Sequence, residues 1–371
     1  MKFDKISAFG KKFVVEPSGT VLTDAEKRSL EELQPAGIMF RKRNFLQDVD
    51  YPTWLAAYSN LLKQCREAIG RNQLIVSIDH EGGRVIRPPL PITPFPYAAK
   101  WSDQVVPVAS AMAIELKSLG INVNFAPVAD IHSNPDNPVI NERSFGTSAR
   151  AVAEAACGFA TVMSKNQIIP CAKHFPGHGD TKQDSHYGLP ILDSTKEELG
   201  KRELIPFQSL IDIGVPMVMT AHLLFPKIDP ENQATISRKI LHDLLREEMG
   251  FKGAIIADAL GMKAISAQEY ETTIKAVNAS LDLFLVAGDN VDLESALRIA
   301  RHMQQGAACG DVKEKALTDS FNRIEALLEK LPQHPVKELN ANVFEDHARL
   351  ADELSRRKAW STFDLRVPGF E

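Results

Sequence analysis

Apolar residues come along this chain in short, nearly unbroken runs, separated by longer stretches where they recur every three or four positions. The runs are KKFVVE (11–16), AGIMF (36–40), LIVSID (74–79), INVNFA (121–126), IIPCAKH (168–174), PMVMTAH (216–222), AIIAD (254–258) and LFLVAG (283–288). Continuous rather than alternating hydrophobicity marks strands buried on both faces, as in a parallel sheet. Helical spacing fills the stretches between and after them, at 24–33, 54–68, 105–119, 149–165, 199–213, 238–249, 268–281 and 293–304. Gly120, Gly214 and Gly250 each follow such a stretch, where a left-handed cap favours glycine, and Thr23 and Ser237 precede helices as N-caps. Eight strand–helix alternations predict an α/β fold, a single (β/α)8 TIM-type barrel or close variant. A doubly wound open sheet is the alternative; the count of eight and the lack of a GxGxxG turn after the first strand weigh against it. The first strand is the least marked, being short and Lys-rich. The barrel is expected over residues 1–330. LPQHPVKELN then reads as a connector and 346–358 as one charge-rich helix, so 331–371 is expected to be a C-terminal helical appendage and not an independent domain.

Composition narrows the class. The 371 residues are 44% hydrophobic and 25% charged, with 43 basic against 48 acidic side chains and a net charge of -5. A general nucleic-acid binder would show a basic footprint. The N-terminal residues lack the apolar core of a signal peptide, and no run of apolar residues is long enough for a membrane span. Cys65, Cys157, Cys171 and Cys309 are scattered without a CxxC pair, and Cys157 and Cys171 read as buried thiols. A reduced, soluble, cytoplasmic protein is expected.

Barrel enzymes carry their chemistry at the C-terminal ends of the strands, and polar residues collect there. The third strand ends in Asp79-His80-Glu81-Gly82-Gly83-Arg84, and the fourth runs into Pro127 and Asp130. The fifth ends in Lys173-His174, the sixth in Thr220-Ala221-His222 and the seventh in Asp258. The densest segment, KHFPGHGDTKQDSHYGLP (173–190), holds Lys173, His174, His178, Asp180, Asp184 and His186. Two chemistries fit it. One is metal-assisted hydrolysis with His174, His178 and His186 as ligands, although firm metal spacing elsewhere is missing. The other is acid–base catalysis by His186, with Asp184 fixing its tautomer and raising its pKa. Asp258 is either a helix N-cap or a nucleophile that forms a covalent intermediate.

These motifs resemble glycoside hydrolase family 3, in its bacterial β-N-acetylglucosaminidase branch. The resemblance is carried by GIMFRKRN (37–44), IDHEGGRVIR (78–87), NFAPVADI (124–131), NERSFG (141–146), KHFPGHGDTKQDSH (173–186), MTAH (219–222) and IIADALGMKAI (255–265). It implies that Asp258 is the nucleophile, His186 the general acid/base and Asp184 its orienting partner. It further implies that Asp79, Arg87, Arg143, Lys173 and His174 bind a terminal N-acetylglucosamine, whose hydroxyl and acetamido groups suit such donors and acceptors. Glu81, Gly82 and Gly83 are expected to form a turn, and His178 to shape its loop. Two positions depart from the pattern: His80 where glutamine is common, and Ala259 where an acidic residue is frequent. Removal of N-acetylglucosamine from 1,6-anhydro-N-acetylmuramic acid or its peptide forms, in peptidoglycan recycling, is the implied activity. A β-glucosidase, a phosphorylase and a non-catalytic sugar-binding protein are the alternatives. The reading calls for a small carbohydrate (muropeptide-type) partner, a monomer, no cofactor, no metal, and neither nucleic acid nor membrane.

Overall fold

A computed structural model describes residues 5–71, 73–182, 188–261, 269–289 and 292–360. All eight apolar runs form strands: β1 (Phe13–Val15), β2 (Gly37–Phe40), β3 (Ile75–Ile78), β4 (Val123–Asn124), β5 (Ile169–Phe175), β6 (Met217–Thr220), β7 (Ala254–Ile256) and β8 (Phe284–Val286). They pair in parallel in the order β7-β6-β5-β4-β3-β2-β1-β8. A bridge from Ile256 to Leu283 joins the two outer strands, with the Ala257 N–H donating to Leu283 O at 2.9 Å. The sheet is a nearly closed barrel. Lys-rich β1 is accommodated because Lys11 pairs with Glu325 and buried Lys12 donates to Leu281 O at 3.2 Å and Ser320 Oγ at 2.5 Å.

The described helices longer than three residues are α1 (Ser7–Gly10), α2 (Asp24–Leu33), α3 (Tyr51–Ile69), α4 (Val105–Ser118), α5 (Ala149–Lys165), α6 (Lys196–Lys201), α7 (Leu204–Asp212), a π-helical segment Lys239–Glu248, α8 (Tyr270–Asn278), α9 (Leu293–Cys309), α10 (Glu314–Glu329) and α11 (Ala341–Ser355). Thr23 closes a capping box with Glu26, and Ser237 Oγ accepts from the Ile240 N–H. Gly120, Gly214 and Gly250 adopt positive φ after their helices.

Three expectations need correction. The stretch 199–213 is two helices, because Pro206 has no N–H to give and its ring clashes with the carbonyl four residues back, at Arg202, where α6 stops. Helix α10, absent from the sequence reading, buries Leu317, Phe321, Ile324 and Leu328 along one stripe. Ile324, Leu327, Leu328 and Leu331 pack into the cluster that fills the barrel, with Val14, Val123, Met217 and Leu285. The helix is the barrel's floor.

The C-terminal helix begins at Ala341 rather than 346 and packs on the barrel's outer ring. Val336 bridges Leu119, His347 Nδ1 meets Glu115 Oε1 at 2.7 Å, and Phe344 sits edge-on to Tyr51 at 5.4 Å. Cys65, Cys157 and Cys171 are buried free thiols and Cys309 is exposed. Among the described residues no helix is long and apolar enough to cross a membrane.

Candidate active site

Five polar side chains meet where β3 and β5 end. Asp79 follows β3 directly, and Lys173 and His174 lie within the last three residues of β5. Lys173 Nζ donates to Asp79 Oδ1 at 3.0 Å and to Glu81 Oε1 at 2.6 Å. Arg87 Nη2 reaches the other Asp79 oxygen at 2.9 Å. Arg143 grips Glu81 in a two-pronged pair, Nε to Oε2 at 2.8 Å and Nη2 to Oε1 at 2.9 Å. Parallel forks of this kind fix direction as well as charge. Three cations thus hold two carboxylates.

Burial alone would raise both acids, but the cations outweigh it. Lys173 and Arg87 hold Asp79 down at about 2. Arg143 and Lys173 hold Glu81 well below the carboxylate range. Burial would lower Lys173, yet Asp79 and Glu81 raise it, so it presents a fixed positive charge. For Asp79 the linkage sign is that of a depressed acid. Its stabilisation is present above the unfolded value near 3.9 and is lost as pH falls towards about 2. Its size is about 2 kcal/mol. We expect the stability gap between wild type and Asp79→Asn, measured from urea midpoints, to shrink as pH falls through that window. A gap that stays constant from pH 6 to pH 2 contradicts this assignment.

His174 is oriented by Asp130, a residue with no role assigned in the sequence reading. Asp130, fully buried in the loop after β4, faces His174 Nδ1 at 2.6 Å. A carboxylate only accepts, so Nδ1 carries the hydrogen. That leaves Nε2 directed towards Arg143 Nη2, 3.5 Å away. Asp130 also accepts from the backbone N–H of His178 at 2.7 Å and of His174 at 3.2 Å. Burial raises Asp130, but His174 and these donors bring it below the ordinary carboxylate value. The only advance signal was its place at a strand end in NFAPVADI; its partner is 44 residues away.

The loop after β5 is packed tightly on the loop after β4. Asn137 Nδ2 donates to His178 O at 2.9 Å and Gly179 O at 3.0 Å. A Cβ on Gly179 would sit 1.6 Å from Ile131 O, so no other residue fits. His178 Nδ1 meets Thr181 Oγ1 at 3.0 Å, and burial pushes its ring down to about 4. These are contacts of a residue that shapes its loop. Glu81, by contrast, is a member of the ion network as well as part of a turn.

Asp258 stands two residues beyond β7, half-buried, with Oδ1 accepting the Ala259 N–H at 2.7 Å. Its neighbour His222 lies at the end of β6, where Nδ1 meets Thr235 Oγ1 at 2.8 Å and Nε2 meets Ala259 O at 3.4 Å. Burial lowers the His222 pKa despite the opposing charge of Asp258. His80 is buried with neither ring nitrogen bonded among the described residues, and burial pushes it down to about 4. Asp184 and His186 lie outside the described residues. On the outer side, Trp360 stacks on His132 at 4.5 Å and donates from Nε1 to Ser144 O at 3.2 Å. It thereby touches both segments that supply Asp130 and Arg143.

Comparison with known proteins identifies the chain's relatives. The chain is 34% identical over 344 residues to beta-hexosaminidase A of Pseudoalteromonas piscicida, covering 84% of this chain and 57% of that protein's length. The family 3 beta-N-acetylglucosaminidase of Paenibacillus sp. FPU-7 superposes with a TM-score of 0.83 at 32% identity, over 94% of this chain and 68% of the other. NagZ from Neisseria gonorrhoeae, solved with N-trifluoroacetyl-D-glucosamine, gives a TM-score of 0.72 at 25% identity, over 93% of this chain and 98% of its own. The model of the glycosyl hydrolase family 3 N-terminal domain matches residues 12–327. That match takes in every strand of the barrel and most of its floor helix, and the chain belongs to glycosyl hydrolase family 3.

Proposed function

We propose that the chain is a retaining β-N-acetylhexosaminidase that removes terminal, non-reducing β-linked N-acetylglucosamine. The observation that carries this reading is the ion network of Asp79, Glu81, Arg87, Arg143 and Lys173 at the strand ends, beside the His174–Asp130 pair. A preorganised rim of fixed cations and carboxylates is what a hydroxylated, acetamido-bearing ring needs, since its oxygens accept and its O–H groups donate. The resemblance to a beta-hexosaminidase and to beta-N-acetylglucosaminidases supports the same substrate class.

In the proposed reaction Asp258 attacks the anomeric carbon as His186 gives its proton to the departing oxygen. The C1–O bond breaks and a glycosyl ester forms on Asp258. Water then attacks C1, with His186 taking its proton and Asp258 leaving as the free carboxylate. Asp184 orients His186. Lys173, Arg87, Asp79, Arg143 and His174 hold the sugar. The substrate we infer is N-acetylglucosaminyl-1,6-anhydro-N-acetylmuramic acid or its peptide forms, met in the cytoplasm during peptidoglycan recycling.

Aryl glycosides test the reading. The protein is expected to cleave an aryl β-N-acetylglucosaminide at least tenfold faster than the matching β-glucoside, releasing free N-acetylglucosamine in the presence of phosphate. Equal rates on the two glycosides would assign a β-glucosidase, and release of the sugar 1-phosphate would assign a phosphorylase.

A further inference from the structure

The barrel's other end carries a concentration of charge that this reaction does not use. Lys12 precedes β1, Gly253 precedes β7 and Asp282 precedes β8, so all three lie at the N-terminal ends of the strands, away from the sugar-binding rim. Fully buried Asp282 accepts from Arg246 Nη2 at 2.5 Å and from Arg323 Nη2 at 2.9 Å. Lys12 is buried beside them. Burial, reinforced by Arg323 and Arg246 and opposed by Asp282, pushes Lys12 down to about 7. Burial likewise pushes Arg246 down to about 10, against the pull of Asp282. Two guanidinium groups share this one carboxylate, and Arg246 Nη1 also donates to Phe251 O at 3.1 Å and Gly253 O at 2.6 Å.

Next to this cluster lies a cavity of about 240 Å³. Its lining includes the cationic Arg238, Arg246, Lys313, Lys315 and Arg323, with only Glu247 and Asp319 as carboxylates. Asp319 is taken up by Lys315 at 2.8 Å. Arg246 is 6% exposed, and its Nε has no acceptor among the described residues. A buried charged donor left without an acceptor is costly, and native structures rarely leave one.

We propose that this cavity is a binding site for a small phosphate-bearing anion, separate from the catalytic mouth. Guanidinium groups match a tetrahedral oxyanion in two-pronged fashion, and a doubly charged group fits a lining with more cations than carboxylates. The volume falls below the roughly 300 Å³ at which pockets for drug-sized ligands begin, so inorganic phosphate or a small phosphate ester fits and a dinucleotide does not. The site stands independently of the hydrolase reading, because none of its residues belongs to the rim.

Calorimetric titration of the whole protein with inorganic phosphate, glucose 6-phosphate and glucose tests it. One phosphate probe is expected to bind per chain, more weakly at higher salt and unaffected by N-acetylglucosamine, while glucose is silent. Tighter binding of glucose 6-phosphate identifies an ester as the occupant, and equal binding identifies free phosphate. Arg238 and Lys313 are exposed, so the Arg238→Gln/Lys313→Gln double variant should keep its fold and its glycosidase rate while its Kd rises at least tenfold. Silence of both phosphate probes, competition by N-acetylglucosamine, or an unchanged Kd in the double variant overturns the proposal.

Discussion

Replacing Asp258 by alanine is expected to lower kcat for aryl β-N-acetylglucosaminides by a factor on the order of 10⁴ or more, as loss of a nucleophile does elsewhere. The fold should be nearly untouched. Asp258 is half-buried, and its hydrogen bond goes to the N–H of its own neighbour, Ala259. A change in stability below about 1 kcal/mol follows for such a position. His186→Ala provides the matching test of the proton. Substrates with good leaving groups need little protonation and should lose little in the first step, whereas poor leaving groups should lose roughly 10²- to 10⁴-fold. Pre-steady-state release of the aryl alcohol separates the two steps. Wild-type turnover in Asp258→Ala would end the proposed mechanism, whatever His186→Ala does.

Asp130→Asn is expected to impair both catalysis and folding. Asparagine keeps one acceptor for His174 Nδ1–H, but it turns an NH2 group towards the His178 N–H, which now donates to the second carboxylate oxygen, and towards the His174 N–H, which is shared between the two oxygens. We expect a loss of about 2 kcal/mol from the donors left unmatched. With the imidazole no longer held, kcat/KM should fall by roughly 10- to 100-fold, the scale found when an orienting partner is removed. The stability penalty should fade in acid. Asp130 is a depressed acid, so its contribution is present above the unfolded carboxylate value and disappears as pH drops through the folded one. A double-mutant cycle identifies the route of its action. If Asp130 acts through His174, its substitution should change little in a His174→Ala background. Independent, additive losses would make Asp130 a purely structural residue.

The strands were legible because a barrel buries them on both faces, which leaves unbroken apolar runs such as LIVSID and AIIAD. What escaped reading was set by competition or by distance. Pro206 sits inside a helical pattern whose apolar spacing is otherwise intact, and there the backbone rule wins over periodicity. Helix α10 was overlooked because its apolar stripe is interleaved with charges, and its burial depends on the barrel end it closes. At the rim, the residue types at the strand ends marked Asp79, Lys173 and His174 as chemistry. Which carboxylate each would meet depends on loops 44 to 94 residues apart in sequence, and no local pattern records that. The same holds for Arg246, Asp282 and Arg323, which three separate elements bring to the floor.

The stack of Trp360 on His132 has a bearing on how the protein is made. Synthesis proceeds from the N-terminus, and segments fold as they emerge. β1 is finished early but has one free edge until β8 appears, more than 250 residues later, and the floor helix comes later still. Asp130, Arg143 and Lys173 will by then have been in the growing chain for more than 140 residues. Among the described residues, the last neighbour of the loops that seat Asp130 and Arg143 arrives with Trp360. A chain ending between α10 and Trp360 would carry all eight strands and the floor helix but lack this contact.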